Sequence, residues 1–191
     1  MSTLPRTSKV DELIRRLDEA VAARDDAERC RNVKKVLVDV VQSGEQFVEP
    51  QYLVPAPDRY ARRLMHRDAQ NRYTVLAMVW DRGQGTPLHD HAGTWCVECV
   101  YRGRIRVTSY SVRGGDPERD VVQFARENVI MAGVGEAGAL IPPFEYHVLE
   151  NADESPSITL HVYGGEMTYC HIFGPVDGGY LRKYRELSYT A

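Results

Sequence analysis

The sequence predicts a mainly β protein in which two N-terminal helices precede a barrel or sandwich of short strands. Residues 8–44 carry apolar side chains at helical spacing, whereas the rest of the chain alternates short apolar segments with glycine-containing turns. The chain has 191 residues, 43% of them hydrophobic, which suits one domain with a sizeable core. We therefore expect a single domain over residues 1–191, with a helical front at 8–44 and a β-barrel at about 70–175.

The helical front divides into two helices. The first begins at Ser8, where the sequence Ser-Lys-Val-Asp offers a capping box. The second runs from about residue 26 to residue 42 and ends at Ser43 and Gly44. The apolar residues that define one face of each helix are Val10, Leu13, Leu17 and Val21 in the first, and Val33, Val36, Leu37, Val40 and Val41 in the second.

A loop with three prolines follows the helices, and short strands separated by turns dominate from there on. Glycines such as Gly83, Gly103 and Gly164 mark the turns between them. The predicted strands cover residues 73–80, 95–101, 105–112, 128–131, 147–150, 158–163 and 169–173.

The composition argues against several classes of protein. The net charge is −3 with no basic stripe, and no apolar segment is long enough to span a membrane, so neither nucleic acid nor a membrane is an expected partner. The N-terminus lacks the apolar core of a signal peptide, which predicts a cytoplasmic protein. The four cysteines are scattered, so disulfides are not expected, and the pair Cys96 and Cys99 has no second pair with which to hold zinc.

Two histidine motifs carry the functional signal. His89 and His91 are one residue apart, so that on a strand their side chains would share one face and Asp90 would face the other. A third histidine, His147, lies in a separate segment. Neutral imidazole binds iron, copper, nickel or zinc, and three such ligands leave coordination positions open for catalysis.

Together the two motifs resemble those of the cupin superfamily. The first cupin motif has a glycine, a His-x-His pair, a glutamate and a second glycine, and the second motif has a proline, a histidine and an asparagine. The matching residues here are Gly85, His89, His91 and Gly103, then Pro142, His147 and Asn151. The resemblance implies a double-stranded β-helix, a jelly-roll-like barrel, with a metal inside. Cys96 stands where the glutamate would be.

That departure makes the chain similar to the cysteine dioxygenase family. Residues 157–163 resemble the family's Ser-x-His-x-Tyr strand, with Thr159 in place of serine, and residues 60–62 resemble its Tyr-x-Arg segment. The resemblance covers roughly residues 50–175. It implies that His89, His91 and His147 bind Fe(II), and that a free thiol, L-cysteine first of all, is oxidised by O2 to a sulfinic acid. It also implies a monomer whose partners are a small thiol and O2.

The same resemblance implies roles for five further residues. Arg62 would bind the substrate carboxylate, although the adjacent Arg63 leaves the register open. Tyr60 would lie beside that carboxylate or line the pocket. Tyr163 would direct its hydroxyl at the substrate or the oxygen, with His161 orienting it and Thr159 supporting His161.

Three matters stay open at this point. Cys96 and Tyr163 either form the thioether crosslink of the mammalian-type enzymes or remain separate. Relatives that oxidise 3-mercaptopropionate carry a later arginine, and residues 164–174 contain none, which favours cysteine over 3-mercaptopropionate or mercaptosuccinate. A non-enzymatic metal-binding cupin would need the three histidines but neither Arg62 nor the Tyr163 segment, whereas a zinc or manganese isomerase would be expected to keep the motif glutamate.

Overall fold

The computed structural model describes residues 8–119, 121–143 and 145–191. Residues 1–7, Phe144 of the second histidine motif, and the side chain of Ser8, on which the predicted capping box depends, lie outside this description. The described residues form two helices, a 3₁₀ turn at Pro50–Leu53 and ten strands. The elements are α1 (Ser8–Ala20), α2 (Asp26–Gln42), β1 (Ala61–Arg67), β2 (Thr74–Trp80), β3 (Cys96–Arg102), β4 (Ile105–Gly114), β5 (Gln123–Ala132), β6 (Ala137–Leu140), β7 (His147–Asn151), β8 (Ser157–Tyr163), β9 (Tyr169–Val176) and β10 (Gly179–Glu186).

Both predicted helices are confirmed. The α2 helix begins after Asp25, whose side chain accepts a hydrogen bond of 2.7 Å from the backbone of Glu28 and so satisfies a free N–H group of the first turn. Leu17 and Leu37 are fully buried. They belong to the core cluster in which the helices cover one face of the largest sheet.

The largest sheet has five strands in the order β1-β2-β8-β3-β6. Every residue of β2 and β8 is buried, because helices cover one face of the sheet and the barrel interior covers the other. Along β2, Val75 and Ala77 therefore contact the helical layer, while Leu76 and Met78 face the interior.

The opposite side of the interior is built from two smaller sheets. One has the order β5-β4-β7 and the other is the β9–β10 hairpin. His89 joins them, because it forms isolated bridges with His147 in β7 and with Ile172 in β9. Side chains of both layers meet in one cluster, which includes Met78, Ile105 and Leu149. The predicted fold class, a cupin barrel behind two helices, is confirmed.

Several strand predictions were incomplete. Strands β1, β6 and β10 were not predicted, and β5 is longer than the predicted segment 128–131. Strands β1 and β10 also lie outside the range of about 70–175 that was expected for the barrel. Strands β1 and β10 are rich in charged residues and have exposed positions, so they lack the apolar alternation that identifies a strand.

The expectation that His89 and His91 lie on a regular strand was wrong. Only His89 forms ladder contacts, and these are isolated bridges. A turn follows directly, in which Ala92 and Gly93 adopt positive φ angles of 52° and 76° and so break the extended backbone. Among the described residues, none of the helices combines the length and apolarity needed to cross a bilayer.

Candidate metal centre

The three predicted histidines come together inside the barrel. One ring nitrogen from each of His89, His91 and His147 lies within 4.8 Å of the others, and all three residues are buried. Backbone hydrogen bonds hold the group in place: His89 pairs with His147, and the N–H of His91 donates to the carboxylate of Glu145 at 2.9 Å. The side chain of Asp90 faces away, as predicted, and accepts a hydrogen bond of 2.8 Å from the backbone of His171.

The surroundings of each ring indicate which nitrogen is free for a metal. Nδ1 of His89 lies 3.0 Å from the carbonyl of Pro87. Nδ1 of His91 lies 3.8 Å from Glu145, and Nδ1 of His147 lies 3.8 Å from Glu98. Because every Nδ1 has an oxygen nearby, the Nε2 atoms are left to face a metal.

These rings fit a divalent metal ion. Nε2 of His147 is buried and has no hydrogen-bond partner among the described residues, which is uncommon for a polar atom in a folded protein. Burial lowers the pKa of His89 and takes the pKa of His91 and of His147 well below the usual range, so the rings are neutral at pH 7. Neutral imidazole is the form that coordinates metals.

A line of polar side chains runs along the inward face of β8 beside this group. Nε2 of His161 lies 2.7 Å from the hydroxyl of Thr159, and Nδ1 lies 3.2 Å from the hydroxyl of Tyr163. The indole N–H of Trp80 donates to Thr159 at 2.9 Å. Burial lowers the pKa of His161 to about 3 and raises that of Tyr163 well above its usual range, so His161 is neutral and Tyr163 keeps its proton.

Cys96 lies directly opposite Tyr163 in the β3–β8 ladder. Its thiol is fully buried and lies 3.9 Å from Nδ1 of His161, the same nitrogen that the Tyr163 hydroxyl approaches. Burial raises the pKa of this thiol well above its usual value, so Cys96 is an uncharged thiol.

Arg62 and Tyr60 line the same pocket as the three histidines. The guanidinium of Arg62 is buried and donates to the backbone carbonyls of Met167 at 3.2 Å and Ser188 at 3.4 Å. The ring of Tyr60 stacks on Trp80 with 4.7 Å between ring centroids. Arg63 instead donates to the carbonyl of Val54 and is not part of this lining.

The pocket opens towards a positively charged entrance. Its volume next to the histidines is only about 20 Å³. Tyr60, Arg62 and Leu187 also line a cavity of about 390 Å³, which contains two more arginines, Arg59 and Arg185, and one acidic residue, Glu186. The excess of positive charge favours small anions there.

A family model described as cysteine dioxygenase type I matches residues 5–175 of the chain. The chain belongs to the cysteine dioxygenase type I family. It is 21% identical to cysteine dioxygenase type 1 of Homo sapiens over 121 residues, and similarly 21% identical to that of Danio rerio over 124 residues. Each alignment covers 63% of this chain and 58% of the relative, so the matched part is less than two thirds of the length of these relatives.

Solved structures overlap with part of the chain. A structure from Thermus thermophilus has a TM-score of 0.46 and 19% identity, and it covers 63% of this chain and 98% of its own. An RmlC-like cupin protein from Desulfovibrio desulfuricans has a TM-score of 0.44 and 16% identity, with 63% and 95% of the two chains covered.

The structure brings together the side chains that the sequence singled out. The three histidines, Arg62 and Tyr60, and His161 with Tyr163 line one pocket, while Thr159 and Cys96 contact His161. Of the two candidate arginines, Arg62 faces this pocket.

Sequence reasoning missed three side chains that contact this group. Glu98 lies beside His147 and His161, Glu145 holds His91, and Trp80 holds Thr159. Alternation along β3 would have shown that Glu98 shares the inward face of Cys96. The C-terminal segment was also missed, although Leu187 lines the pocket and Thr190 hydrogen-bonds the backbone of Arg62.

Proposed function

We propose that this protein is an Fe(II)-dependent thiol dioxygenase that converts L-cysteine and O2 to cysteine sulfinic acid. One observation carries the proposal: the three-histidine group, in which no acidic residue takes part among the described residues, shares its pocket with Arg62 and with the His161–Tyr163 pair. Membership of the cysteine dioxygenase type I family supports it. By the same family relation, we expect a cytoplasmic monomer.

His89, His91 and His147 would hold the iron through their Nε2 atoms. When bound, Fe(II) would bring a thiolate and O2 together and promote the reaction between them. Three neutral ligands leave the ion its full charge, which favours an anionic sulfur. Both oxygen atoms of O2 enter the product, RSH + O2 → RSO2⁻ + H⁺, and the substrate supplies all the electrons.

Arg62 would bind the substrate carboxylate. A guanidinium has five N–H donors in a planar fork, and among the described residues Arg62 donates to two backbone carbonyls. The remaining donors suit a carboxylate that arrives through the positively charged entrance. Tyr60, held against Trp80, would form the adjacent wall.

Tyr163 would hold a proton at its hydroxyl next to the substrate. Because Thr159 accepts from Trp80, its own hydroxyl can donate to Nε2 of His161, which places the ring proton on Nδ1, facing Tyr163. Such a chain fixes the orientation of the tyrosine hydroxyl.

Cys96 and Tyr163 are candidates for a thioether crosslink, because they are cross-strand neighbours whose side chains both approach Nδ1 of His161. Formation of the carbon–sulfur bond removes one hydrogen from the thiol and one from the ring, and O2 takes up both electrons and both protons to leave as hydrogen peroxide. Intact-mass measurement of active protein should show a fraction that lacks two hydrogens, and this fraction should vanish in C96A. Active protein without that fraction would overturn the crosslink.

A panel of thiols tests the proposed reaction. Iron-loaded protein is given L-cysteine, 3-mercaptopropionate or mercaptosuccinate in an oxygen electrode, and the products are identified by mass. We expect L-cysteine to be oxidised fastest, with a gain of two oxygen atoms. If it is the poorest substrate, another small thiol acid takes its place. If a fully loaded site consumes no oxygen with any thiol, the protein is a non-enzymatic metal-binding cupin.

A further inference from the structure

We propose that Glu98 is a positioning residue of the metal centre, whose carboxyl group holds Nδ1 of His147 and thereby directs Nε2 of that ring at the metal. The inference rests on the proposed metal site and not on which thiol is oxidised. Glu98 lies outside the three-histidine group itself and has no place in either histidine motif.

The position of Glu98 is defined by two ladders of the five-stranded sheet. In β3 it pairs with His161 of β8 on one side and with Gly138 of β6 on the other. Its side chain is on the inward face, two residues beyond Cys96. One carboxyl oxygen lies 3.8 Å from Nδ1 of His147, and the other lies 3.8 Å from Nδ1 of His161.

The burial of this carboxyl group needs an explanation. Only 8% of the Glu98 surface is exposed, and no described residue forms a hydrogen bond with its Oε2 atom. Among the described residues, the charge-bearing side chains beside its carboxyl oxygens are two histidines, both neutral at pH 7, and no lysine or arginine pairs with it. A carboxyl group buried without a firm partner destabilises a fold by several kcal/mol at most sites, so its presence here points to a function.

A carboxyl oxygen beside the outer nitrogen of a metal-bound histidine has a known physical effect. It accepts a hydrogen bond from Nδ1–H, which fixes the tautomer, orients the ring and makes Nε2 a stronger donor to the metal. For His89 this oxygen is the carbonyl of Pro87 at 3.0 Å, and for His91 it is a carboxyl oxygen of Glu145 at 3.8 Å. Glu98 supplies the corresponding oxygen for His147, also at 3.8 Å. The separation of 3.8 Å exceeds a hydrogen bond, so we expect a small side-chain movement on metal binding.

The location of Glu98 also separates this role from direct coordination. A glutamate at position 96 would be the direct ligand of a cupin, and position 98 is about 6.6 Å further along the same strand face. From there the carboxyl group reaches the outer nitrogen of His147. An acidic group is thus kept beside the metal centre while a coordination position stays open for the thiolate.

Metal affinity tests the proposal without any thiol present. Dissociation constants for Fe(II) under anaerobic conditions, and for Co(II), are measured by competition with a chelator in E98L, E98Q and the control E136Q. Glu136 lines the same end of the barrel as Glu98, but its carboxylate is on the exposed side, where it binds the backbone of Gly133. We expect E98L to bind the metal about 10–100-fold more weakly. E98Q, which keeps an acceptor oxygen, should lie between E98L and wild type, and E136Q should equal wild type.

The absorption spectrum of the Co(II)-loaded protein provides a second readout, because a reoriented ligand shifts the bands of the ion. The bands should move in E98L and stay in place in E136Q. A metal affinity of E98L within twofold of wild type, with unchanged bands, would overturn the proposal.

A stability control separates positioning from folding. The metal-free E98L variant should unfold at the same denaturant concentration as wild type or a higher one, because leucine replaces a buried carboxyl group that lacks a firm partner. If E98L does not fold, the metal affinities of E98Q and E136Q are compared instead, and equal affinities would overturn the proposal. If the protein oxidises no thiol yet E98L binds metal weakly, the proposed function fails and the role of Glu98 stands. If the protein oxidises a thiol but E98L binds the metal as tightly as wild type, the proposed function stands and the role of Glu98 fails.

Discussion

At the scale of single residues, Arg62 shows how one side chain serves both the fold and the pocket. Its guanidinium binds the carbonyls of Met167 and Ser188, and the ring of Tyr189 lies 5.5 Å away. These contacts fix the orientation of the fork before any ligand arrives. A rigid, buried donor group loses little conformational entropy when it binds a carboxylate.

Replacement of Arg62 by methionine should raise KM for L-cysteine. Loss of a charge-assisted contact costs about 1.5–3 kcal/mol, which corresponds to a rise of roughly 10–100-fold. The rate with 2-aminoethanethiol, which has no carboxylate, should change much less than the rate with L-cysteine. R63M serves as the matched control, because Arg63 binds Val54 and lies outside the pocket. Equal losses for both thiols in R62M would contradict carboxylate binding.

Replacement of Thr159 by valine should lower kcat of the thiol oxidation about tenfold, because His161 would lose the hydroxyl that orients it. The pH profile of kcat should shift as well, since the tautomer of His161 is no longer fixed. T74V is the control: Thr74 is also buried, but its hydroxyl binds the carbonyl of Gly165. A T159V variant with the kcat and pH profile of T74V would show that the hydroxyl has only a structural role.

The local sequence motifs identified the side chains of the candidate site, but not the residues that contact them. His89, His91 and His147 follow from local spacing, and Thr159, His161 and Tyr163 from one strand. The contacts of Glu98 and Trp80 depend on the register between β2, β3 and β8, which no local pattern reveals.

At the scale of elements, the turn between β1 and β2 is organised by one carboxylate. Asp68 accepts hydrogen bonds from the backbone N–H groups of Gln70 and Arg72 and from the guanidinium of Arg72. These bonds, led by that of the Arg72 side chain, hold the pKa of Asp68 well below its usual range. Arg72 also pairs with Asp18 of α1, so the turn connects the sheet with the helical front.

Replacement of Asp68 by asparagine should destabilise the protein at neutral pH and flatten its acid dependence. A carboxyl group whose pKa is depressed on folding stabilises above its unfolded pKa, about 3.9, and this stabilisation is lost as the pH falls towards the folded value. We expect the free energy of unfolding to fall by about 1–2 kcal/mol at pH 7, and by less below pH 4. Urea unfolding at pH 7, 5 and 3 measures this difference between D68N and wild type, and D58N, at an exposed site, is the control. A loss that does not depend on pH would contradict the assignment.

The predictability of elements followed their burial. Strands β2 and β8, buried on both faces, are apolar enough to identify from the sequence. Strand β10 presents charged residues to solvent and is a strand only because β9 pairs with it along its whole length. Pairing of this kind is a tertiary property, so it leaves little trace in the local sequence.

At the scale of the whole molecule, the protein is negatively charged while the entrance to its pocket is positive. The entrance is lined by three arginines, Arg59, Arg62 and Arg185, together with Glu186. The entrance should therefore attract anionic thiols by long-range forces that salt screens, since the Debye length is about 10 Å at 0.1 M ionic strength.

Binding of anionic thiols should accordingly weaken with added salt. The inhibition constant of mercaptosuccinate against L-cysteine should rise severalfold between about 0.02 and 0.5 M ionic strength. R185Q should flatten this dependence, and R31Q, at an exposed site of α2, should leave it unchanged. Identical salt dependence in R185Q and wild type would show that the entrance charge does not guide the ligand.

His89 has one further consequence for the molecule. Its backbone joins the β5-β4-β7 sheet to the β9–β10 hairpin, and its ring belongs to the three-histidine group that we propose as the metal site. One residue would thus connect two sheets and also bind the metal. An ion that binds only the folded chain adds about 2.7 kcal/mol to stability at a concentration 100 times its Kd. Iron supply would then govern the lifetime of the protein as well as its catalytic rate. Chains without iron would unfold locally where these two sheets meet, and would be degraded first.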